Sequence, residues 1–234
     1  MSDSTMRVEA VSEDTAMIRF GDTISEALIP QIVALEKRIE QRLGPLVIDL
    51  VPSYTTLLVH YDLNRADFRH VLRELRHLVA DLEAHPEDAP AGRQVEIPVW
   101  YDPTVGYDLE ALAERHELSV DEVIGIHSGK SYQVFAIGFN PGFGFLGRVD
   151  DRIATPRHKS PREAIDPGSV GIADAQTAIY PRLSPGGWQI IGRSPQLMFD
   201  PEQDPAHASL LQVGDTVTFR PIDRDTFISL GGQL

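Results

Sequence analysis

Cysteine is absent from the 234 residues of this chain, and cationic side chains are scarce. The absence of cysteine excludes disulfides, thiolate nucleophiles and cysteine-ligated metals. The chain carries 21 Lys and Arg against 35 Asp and Glu, a formal net charge of −14 at pH 7. So acidic a chain lacks the basic face that nucleic acids and anionic membrane surfaces select. We therefore expect no nucleic-acid partner and no membrane partner.

Long hydrophobic runs are also missing. No stretch reaches the roughly 20 apolar residues that a membrane-spanning helix needs, and the first twenty residues contain four acids and no apolar run of signal length. A chain that is 42% hydrophobic nevertheless has enough apolar side chains to fill sizeable cores. These features favour a globular, soluble, cytoplasmic protein.

Apolar periodicity in the first part of the chain indicates alternating strands and helices. Two helical stripes, Leu28 to Leu43 and Phe68 to Leu82, repeat at three or four residues, and the strand-like runs around them are RVEAV, AMIRF, LVIDLV and TTLLVHY. The composition of the segment Pro86 to Gly92 is typical of a linker. We predict a small α+β domain over residues 1–95 and a second domain over residues 96–234.

The second part begins with two short helical patterns and then changes character. The helix SVDEVIGIH starts with a capping box formed by Ser119 and Glu122. The helix before it, DLEALAERH, is equally acidic, which argues against a DNA-binding helix-turn-helix. Short β-prone runs follow, separated by Gly, Pro, Ser and Asp: YQVFAIGF, GSVGIAD, TAIYP, WQIIGR and DTVTFRPI. This spacing predicts an all-β barrel or sandwich.

The stretch GFGFLG, Gly142 to Gly147, matches the G-x-G-x-x-G fingerprint of dinucleotide sites. That fingerprint works only where a helix follows the glycines, and Pro156 and Pro161 interrupt the residues that come next. We therefore interpret the glycines as turn residues. The neighbouring aromatic side chains are expected to pack inward or to line a cleft or an interface, and they are Phe139, Phe143 and Phe145.

Cations concentrate between Arg148 and Arg162, beside His158, in an otherwise acidic chain. Two Pro-Arg units in this segment place Arg157 and Arg162 on stiff backbone, and a planar guanidinium suits bidentate binding of carboxylate or phosphate. The alternative is that each cation pairs with a local carboxylate on the surface. Composition alone leaves both interpretations open.

Several neutral groups are further candidates for a ligand site. His127 offers a base or a hydrogen bond, or caps the end of its helix. Ser169, Gln176 and Tyr180 suit a lactam or an amide, or else satisfy buried backbone, and Trp188 suits a core or an interface. The sequence contains no metal-ligand spacing and no phosphate-binding loop of the G-x-x-x-x-G-K-[ST] type.

Three stretches of the second part resemble one known family: HSGKSYQVFAIGFNPGFGFLG, TPRHKSPREAIDPGSVGIADAQTAIYP and SPGGWQIIGRSP. The family contains the B subunit of 5-oxoprolinase, allophanate hydrolase subunit 1 and the sporulation kinase inhibitor KipI. The resemblance is dense from IPVWYD to GDTVTFRP, and His127 matches a histidine typical of the family motif. Phe145 stands where the family usually has tyrosine, so any role of that hydroxyl is missing here.

The resemblance implies a small α+β domain followed by a cyclophilin-like β-barrel. It also implies one part of a heteromer: with the larger C subunit and the A subunit of 5-oxoprolinase, such a chain opens 5-oxoproline to glutamate at the expense of ATP. On this hypothesis ATP is held by the complex, and the chain alone is inactive. His127, Arg157 and Arg162 are then the candidate catalytic residues, and Ser169, Gln176 and Tyr180 bind the substrate. The alternative function is inhibition of a sensor histidine kinase.

Overall fold

The computed structural model describes residues 6–85 and 92–234. Most of the predicted linker, residues 86–91, lies outside the described residues. The chain forms two compact units that divide between Gly92 and Arg93. The strand-like run that follows the linker therefore opens the second unit.

Unit 1, the part before Arg93, combines four antiparallel strands with two helices. The strand order is β1-β2-β4-β3, and the helices α1 and α2 pack against each other. Helix α2 begins where the Asp67 side chain accepts a hydrogen bond from the backbone of His70. The elements are β1 (Arg7–Ala10), β2 (Thr15–Arg19), α1 (Ile29–Leu43), β3 (Val47–Ser53), β4 (Thr56–Tyr61) and α2 (Phe68–Ala84).

Unit 2 contains nine further strands and three helices within residues 93–234. Its elements are β5 (Gln94–Trp100), α3 (Leu109–Arg115), α4 (Val120–Ser128), β6 (Ser131–Ile137), β7 (Gly144–Leu146), β8 (Arg162–Ile165), β9 (Ser169–Ala173), β10 (Gln176–Ile179), β11 (Ser184–Gly186), β12 (Gln189–Arg193), β13 (Thr216–Ile222) and α5 (Arg224–Ser229). The predicted capping box at Ser119 and Glu122 is confirmed at the start of α4.

Seven of these strands close into a β-barrel. The order is β6-β13-β5-β12-β9-β10-β7, and β7 pairs again with β6 to complete the ring. The pairing of β13 with β5 is parallel, with Val217 opposite Val95, and the other pairings in the ring are antiparallel. The barrel interior is filled by branched and aromatic side chains, among them Ile97, Val134, Val170, Ile172, Ile191 and Phe219.

A two-stranded sheet lies outside this barrel. Strands β8 and β11 pair only with each other, with Ser184 opposite Ile165. Ile165 of this two-stranded sheet packs with residues on the outer side of the barrel wall in a second core, described below. Among the described residues, no helix is of the length and apolarity that crossing a membrane would require.

Candidate functional site

An aromatic layer covers the outer side of the barrel wall formed by β7, β9, β10 and β12. We call it the outer-face cluster, and its buried members are Phe143, Ile165, Ala173, Ala178, Tyr180, Trp188 and Ile190. It follows from the alternation of side chains along strands, because Thr177 and Ile179 point into the barrel while Ala178 points out. The Phe143 ring lies 5.3 Å from that of Tyr180 and 5.7 Å from that of Trp188, both edge-on.

The layer is open to solvent at one aromatic side chain and one cation. Phe139 contacts Phe143 edge-on but remains 64% exposed, and its backbone has φ +67°, a conformation that non-glycine residues rarely adopt. The Arg157 guanidinium lies 5.6 Å from the centre of the Trp188 ring, within cation–π range. Within residues 6–85 and 92–234, no carboxylate lies at ion-pair distance from Arg157.

The other predicted guanidinium fork is already occupied. Both terminal nitrogens of Arg162 donate to the Asp108 carboxylate, at 2.9 and 2.7 Å, and Asp108 is only 5% exposed. His158 Nε2 lies 3.1 Å from the same carboxylate, and the backbone N–H of Ile190 donates to it at 2.7 Å. Arg162 therefore differs from the expected free anion-binding fork, because a buried carboxylate of this chain fills it.

These contacts keep Asp108 ionised. Burial raises the pKa of Asp108, but the hydrogen bonds from Arg162, Ile190 and His158 outweigh it, and the pKa lies below its ordinary value. The Arg162 guanidinium also lies 5.7 Å from the centre of the Tyr107 ring. Asp108 thus positions Arg162 and His158 beside the outer-face cluster.

A second ionic pair continues from Tyr107. The Tyr107 hydroxyl donates to Asp166 at 2.7 Å, and Arg193 donates to both side chains. The hydrogen bond from Tyr107 is the largest influence holding the pKa of Asp166 below its usual range, and the charge of Arg193 adds to it. Arg193 Nε is a buried donor without a partner among the described residues.

The remaining cations between Arg148 and Arg162 were predicted either to bind an anion or to pair with local carboxylates on the surface. Arg148 pairs with Asp151 and Arg152 pairs with Asp150; the partners are close in sequence, and all but the half-buried Asp150 are exposed. Lys159 is exposed. The surface-pairing alternative therefore describes Arg148 and Arg152, and it does not describe Arg157.

His127 lies inside the barrel, with no exposed surface. Its Nε2 is 2.9 Å from the Thr177 hydroxyl, which itself donates to the carbonyl of Gly171. Nε2 therefore carries the proton, and Nδ1 accepts from the Tyr101 hydroxyl at 2.7 Å. Burial lowers the pKa of His127 to about 3, so the ring is neutral. In this position the ring is closed off from solvent and does not cap its helix as a cation.

The predicted substrate-binding trio is spread along one hairpin. Ser169 is opposite the end of β10, where its carbonyl accepts from Tyr180, while Gln176 pairs with Ala173 at the other end. Four residues of strand separate these ends, roughly 13 Å at 3.3 Å per residue. Ser169 is fully buried and Tyr180 is 1% exposed, whereas Gln176 is half-buried. The structure therefore does not bring the three side chains to one small amide.

Tyr180 links the outer-face cluster to the β8–β11 sheet that covers it. A Cβ on Gly186 would lie 2.1 Å from the Tyr180 hydroxyl, so this close approach requires glycine. Burial raises the pKa of Tyr180 to about 12, against the opposing influence of the Trp188 backbone and of Arg157 and Arg162. Tyr180 is a neutral hydrogen-bonding group rather than a base.

Beside Tyr180, Arg182 reaches the turn that carries Phe139. Its Nε donates to the side-chain oxygen of Asn140 at 2.9 Å, and Asn140 is 7% exposed. Sequence reasoning missed Asn140, Arg182 and Asp108 as site residues. The position of Asn140, a polar residue between Phe139 and Pro141, was a sequence signal for its role. Asp108 had no such signal, because it lies 54 residues from Arg162 among other acidic residues.

The described residues were also searched for metal sites and for clefts outside the outer-face cluster. No group of three or more His, Asp or Glu side chains in the described part is arranged to hold a metal ion. A surface cleft of about 690 Å³ lies in unit 1, between the β1–β2 turn and the start of α2, and it includes Val11, Leu63 and Phe68. None of the predicted site residues lines it.

The sequence of residues 6–209 matches the family model described as carboxyltransferase domain, subdomain C and D. The chain belongs to this family. A protein named as the B subunit of 5-oxoprolinase, from Bacillus subtilis (strain 168), is 40% identical over 224 residues, which cover 91% of each chain. A protein of the same name from Haemophilus influenzae is 36% identical, covering 92% of this chain and 97% of its own. The predicted resemblance to the family of the 5-oxoprolinase B subunit is confirmed.

Solved structures agree with this assignment. The crystal structure of TTHA0988 superimposes with a TM-score of 0.79 at 35% identity, covering 91% of this chain but only 40% of the longer chain. The uncharacterized protein PH0987 from Pyrococcus horikoshii is 41% identical, with a TM-score of 0.56 over 94% of this chain and all of its own. The Kluyveromyces lactis urea amidolyase has a TM-score of 0.70 at 16% identity, which shows a shared fold alone.

Proposed function

We propose that this chain is one subunit of a heteromeric, ATP-dependent hydrolase that opens a small cyclic amide, 5-oxoproline, to glutamate. The observation that carries the proposal is the identity of 36–40% to proteins named as the B subunit of 5-oxoprolinase, over at least 82% of this chain. The outer-face cluster, with Arg157 beside it, is the proposed site.

The chemistry explains why a free arginine belongs there. Amide resonance makes the lactam carbonyl a poor electrophile. Transfer of the γ-phosphoryl group of ATP to the carbonyl oxygen activates it and releases ADP. One water then attacks the ring carbon and the C–N bond breaks, which gives the free amine and an acyl phosphate. A second water hydrolyses the acyl phosphate to the carboxylate and inorganic phosphate. Negative charge gathers on the lactam oxygen, and a fixed guanidinium stabilises it. Arg157 fits this role because no carboxylate of the described residues occupies its fork, and the guanidinium packs over the buried Trp188 ring.

Other residues of the face orient the binding groups or support them from below. Asp108 orients Arg162 and His158, and Phe143 and Tyr180 form the apolar floor. His127 is left out of the proposed chemistry because of its burial. Ser169 and Tyr180 are proposed to support the floor, and Gln176 to meet ligand or partner at the far end of the hairpin.

We propose that ATP and the rest of the active site come from the partners, the larger C subunit and the A subunit of the enzyme. The GFGFLG stretch contains strand β7 with no helix after it, so this chain offers no nucleotide loop there. The exposed Phe139 at the edge of a buried aromatic layer suits an interface anchor. In TTHA0988, moreover, the matching part is 40% of a longer chain. Because ATP is cytoplasmic, we place the complex in the cytoplasm.

The test is glutamate formation from 5-oxoproline and ATP by the co-expressed proteins, with each of them omitted in turn. We expect turnover by the complex and none by this chain alone. Arg157→Ala should lower turnover by at least about a hundredfold, as loss of one charge-stabilising donor does. Arg148→Ala, which removes a surface arginine paired with Asp151, is the matched control and should leave turnover unchanged.

Two results would overturn the proposal. One is a wild-type complex that assembles but forms no glutamate. The other is an Arg157→Ala complex with full activity, which would move the site away from the outer-face cluster. If no complex forms and the chain instead suppresses the autophosphorylation of a sensor histidine kinase, the alternative function predicted from the sequence takes its place.

A further inference from the structure

Asn140 and Arg182 form a group of hydrogen-bond donors at the edge of the outer-face cluster. Asn140 sits in the turn between β6 and β7, where its backbone N–H donates to Gly138 and its carbonyl accepts from Phe143. The Arg182 Nε–H donates to the Asn140 side-chain oxygen at 2.9 Å. Both residues are next to the aromatic layer, since Phe143 follows Asn140 by three residues and Tyr180 precedes Arg182 by two.

The donors of this pair exceed its acceptors. Asn140 is more than nine-tenths buried, and its Nδ2 atom has no hydrogen-bond partner among the described residues. Exchanging the amide oxygen and nitrogen would not help, because Nδ2 would then face the Arg182 Nε–H. Arg182 as a residue is exposed, and in the described part of the chain no carboxylate lies within ion-pair distance of its guanidinium.

A buried amide donor with no acceptor is costly, so natural structures keep few of them. A ligand that brings acceptor oxygens would satisfy Nδ2 and the Arg182 fork together. Because the two groups offer N–H donors and their one oxygen is already used, that ligand is an anion. The planar guanidinium and the single amide favour a flat carboxylate over a tetrahedral phosphate.

We propose that Asn140 and Arg182 bind the carboxylate of the substrate. This inference rests on the proposed function and adds to it the recognition of the acid group that 5-oxoproline carries outside its lactam bond. The Asn140 Nδ2 atom is enclosed, so the carboxylate reaches it when the turn around Phe139 shifts. The left-handed backbone of Phe139, φ +67°, marks this turn as strained.

Direct binding tests the subsite independently of turnover. In the ¹⁵N-labelled full chain, the side-chain amide of Asn140 and the Nε–H of Arg182 are followed by NMR during titration. We expect saturable shifts with 5-oxoproline and none with 2-pyrrolidinone, the same lactam without the carboxylate. Inorganic phosphate at equal concentration is expected to produce smaller shifts. Arg182→Gln should weaken 5-oxoproline binding by about tenfold or more, and the matched surface variant Arg148→Gln should not.

The complex supplies the second measurement. Arg182→Gln should raise KM for 5-oxoproline by about tenfold with kcat changed less than about threefold, because the carboxylate is bound equally in the ground and transition states. Equal NMR shifts with 2-pyrrolidinone, larger shifts with phosphate, or an unchanged dissociation constant and KM in Arg182→Gln would each overturn the subsite. If carboxylate binding at Asn140 is found in a complex that makes no glutamate, the proposed function fails and the subsite stands.

Discussion

Thr177 and Ala178 are neighbours on strand β10, yet they face two different environments. Thr177 points into the barrel, where its hydroxyl joins His127 and Gly171 in a closed set of hydrogen bonds. Ala178 points outward to the aromatic layer, whose edges carry Arg157, Asn140 and Arg182. The polar groups around Thr177 have partners from this chain, whereas the Asn140 amide at the outer edge has a donor with none among the described residues.

This difference separates supporting residues from binding residues. A polar network that is complete within the chain holds the fold in one arrangement and leaves nothing for a ligand. Donors that remain without acceptors beside exposed aromatic surface are available to a ligand or to a partner. The four tests below examine this division, from the largest expected effect to the smallest.

Trp188→Ala should cause the largest loss of stability. The indole is 5% exposed and packs against Phe143 and Phe145, so its removal leaves a cavity in the outer-face cluster. We expect the free energy of unfolding to fall by about 3–5 kcal/mol in urea titrations. Phe139→Ala, at an exposed position of the same layer, should cost less than about 1 kcal/mol. Similar costs for both would mean that the layer is not a core.

Arg162→Ala should be costly for stability, whereas Arg157→Ala should be nearly neutral. Removing Arg162 leaves the buried Asp108 carboxylate with only His158 and a backbone N–H, which we expect to cost about 2–3 kcal/mol. Arg157 makes no ion pair with the described carboxylates, so its loss should cost less than about 0.5 kcal/mol. Thermal melts of both variants measure the contrast, and a stable Arg162→Ala would show that Asp108 does not need this arginine.

His127 should make the stability fall in acid. The pKa of the folded ring is lowered to about 3, whereas that of an unfolded histidine is about 6.5. Below pH 6.5 the unfolded chain therefore binds a proton at this histidine and the folded chain does not. Between pH 6.5 and 5 this costs about 2 kcal/mol. The slope should flatten in His127→Gln and persist in the exposed control His207→Gln. Identical slopes in all three proteins would contradict the burial of His127.

Phe139→Gly should have little effect on stability. Glycine relieves the left-handed backbone by about 1 kcal/mol, which offsets the loss of an exposed ring that touches Phe143. We expect a change within about 1 kcal/mol, with weakened association in co-elution experiments with the partner proteins. Retained association at wild-type strength would remove Phe139 from the interface.

Local patterns predicted the regular part of the fold. The helical stripes around Leu35 and Leu75 and the capping box at Ser119 correspond to α1, α2 and α4, because each depends on residues within one or two turns. The glycines of GFGFLG predict turns, because glycine is disfavoured in strands, yet Gly144–Leu146 form strand β7. The β8–β11 sheet has no clear sequence signal, because its strands, REAI and SPG, are short, contain polar residues and are not consecutive in the chain.

The site was less predictable, because its contacts are long-range. The burial of His127 depends on Thr177, 50 residues away, and the occupation of Arg162 depends on Asp108, 54 residues away. The concentration of cations predicts an anion site between Arg148 and Arg162, but only the fold distinguishes Arg157 from its paired neighbours. Asn140 became notable only when its amide was found without an acceptor among the described residues.

The parallel pairing of β5 with β13 has a consequence for synthesis on the ribosome. Val95 lies opposite Val217, so the ring cannot close until more than a hundred further residues have been made. Non-local pairing of this kind is slow, because a long loop must be ordered before the contact is formed. Until then the aromatic layer and the edges of β5 and β6 are open to misassembly. Nascent chains that stall before Thr216 should therefore depend on chaperones, while unit 1, whose strands pair within its own first 61 residues, is free to fold early.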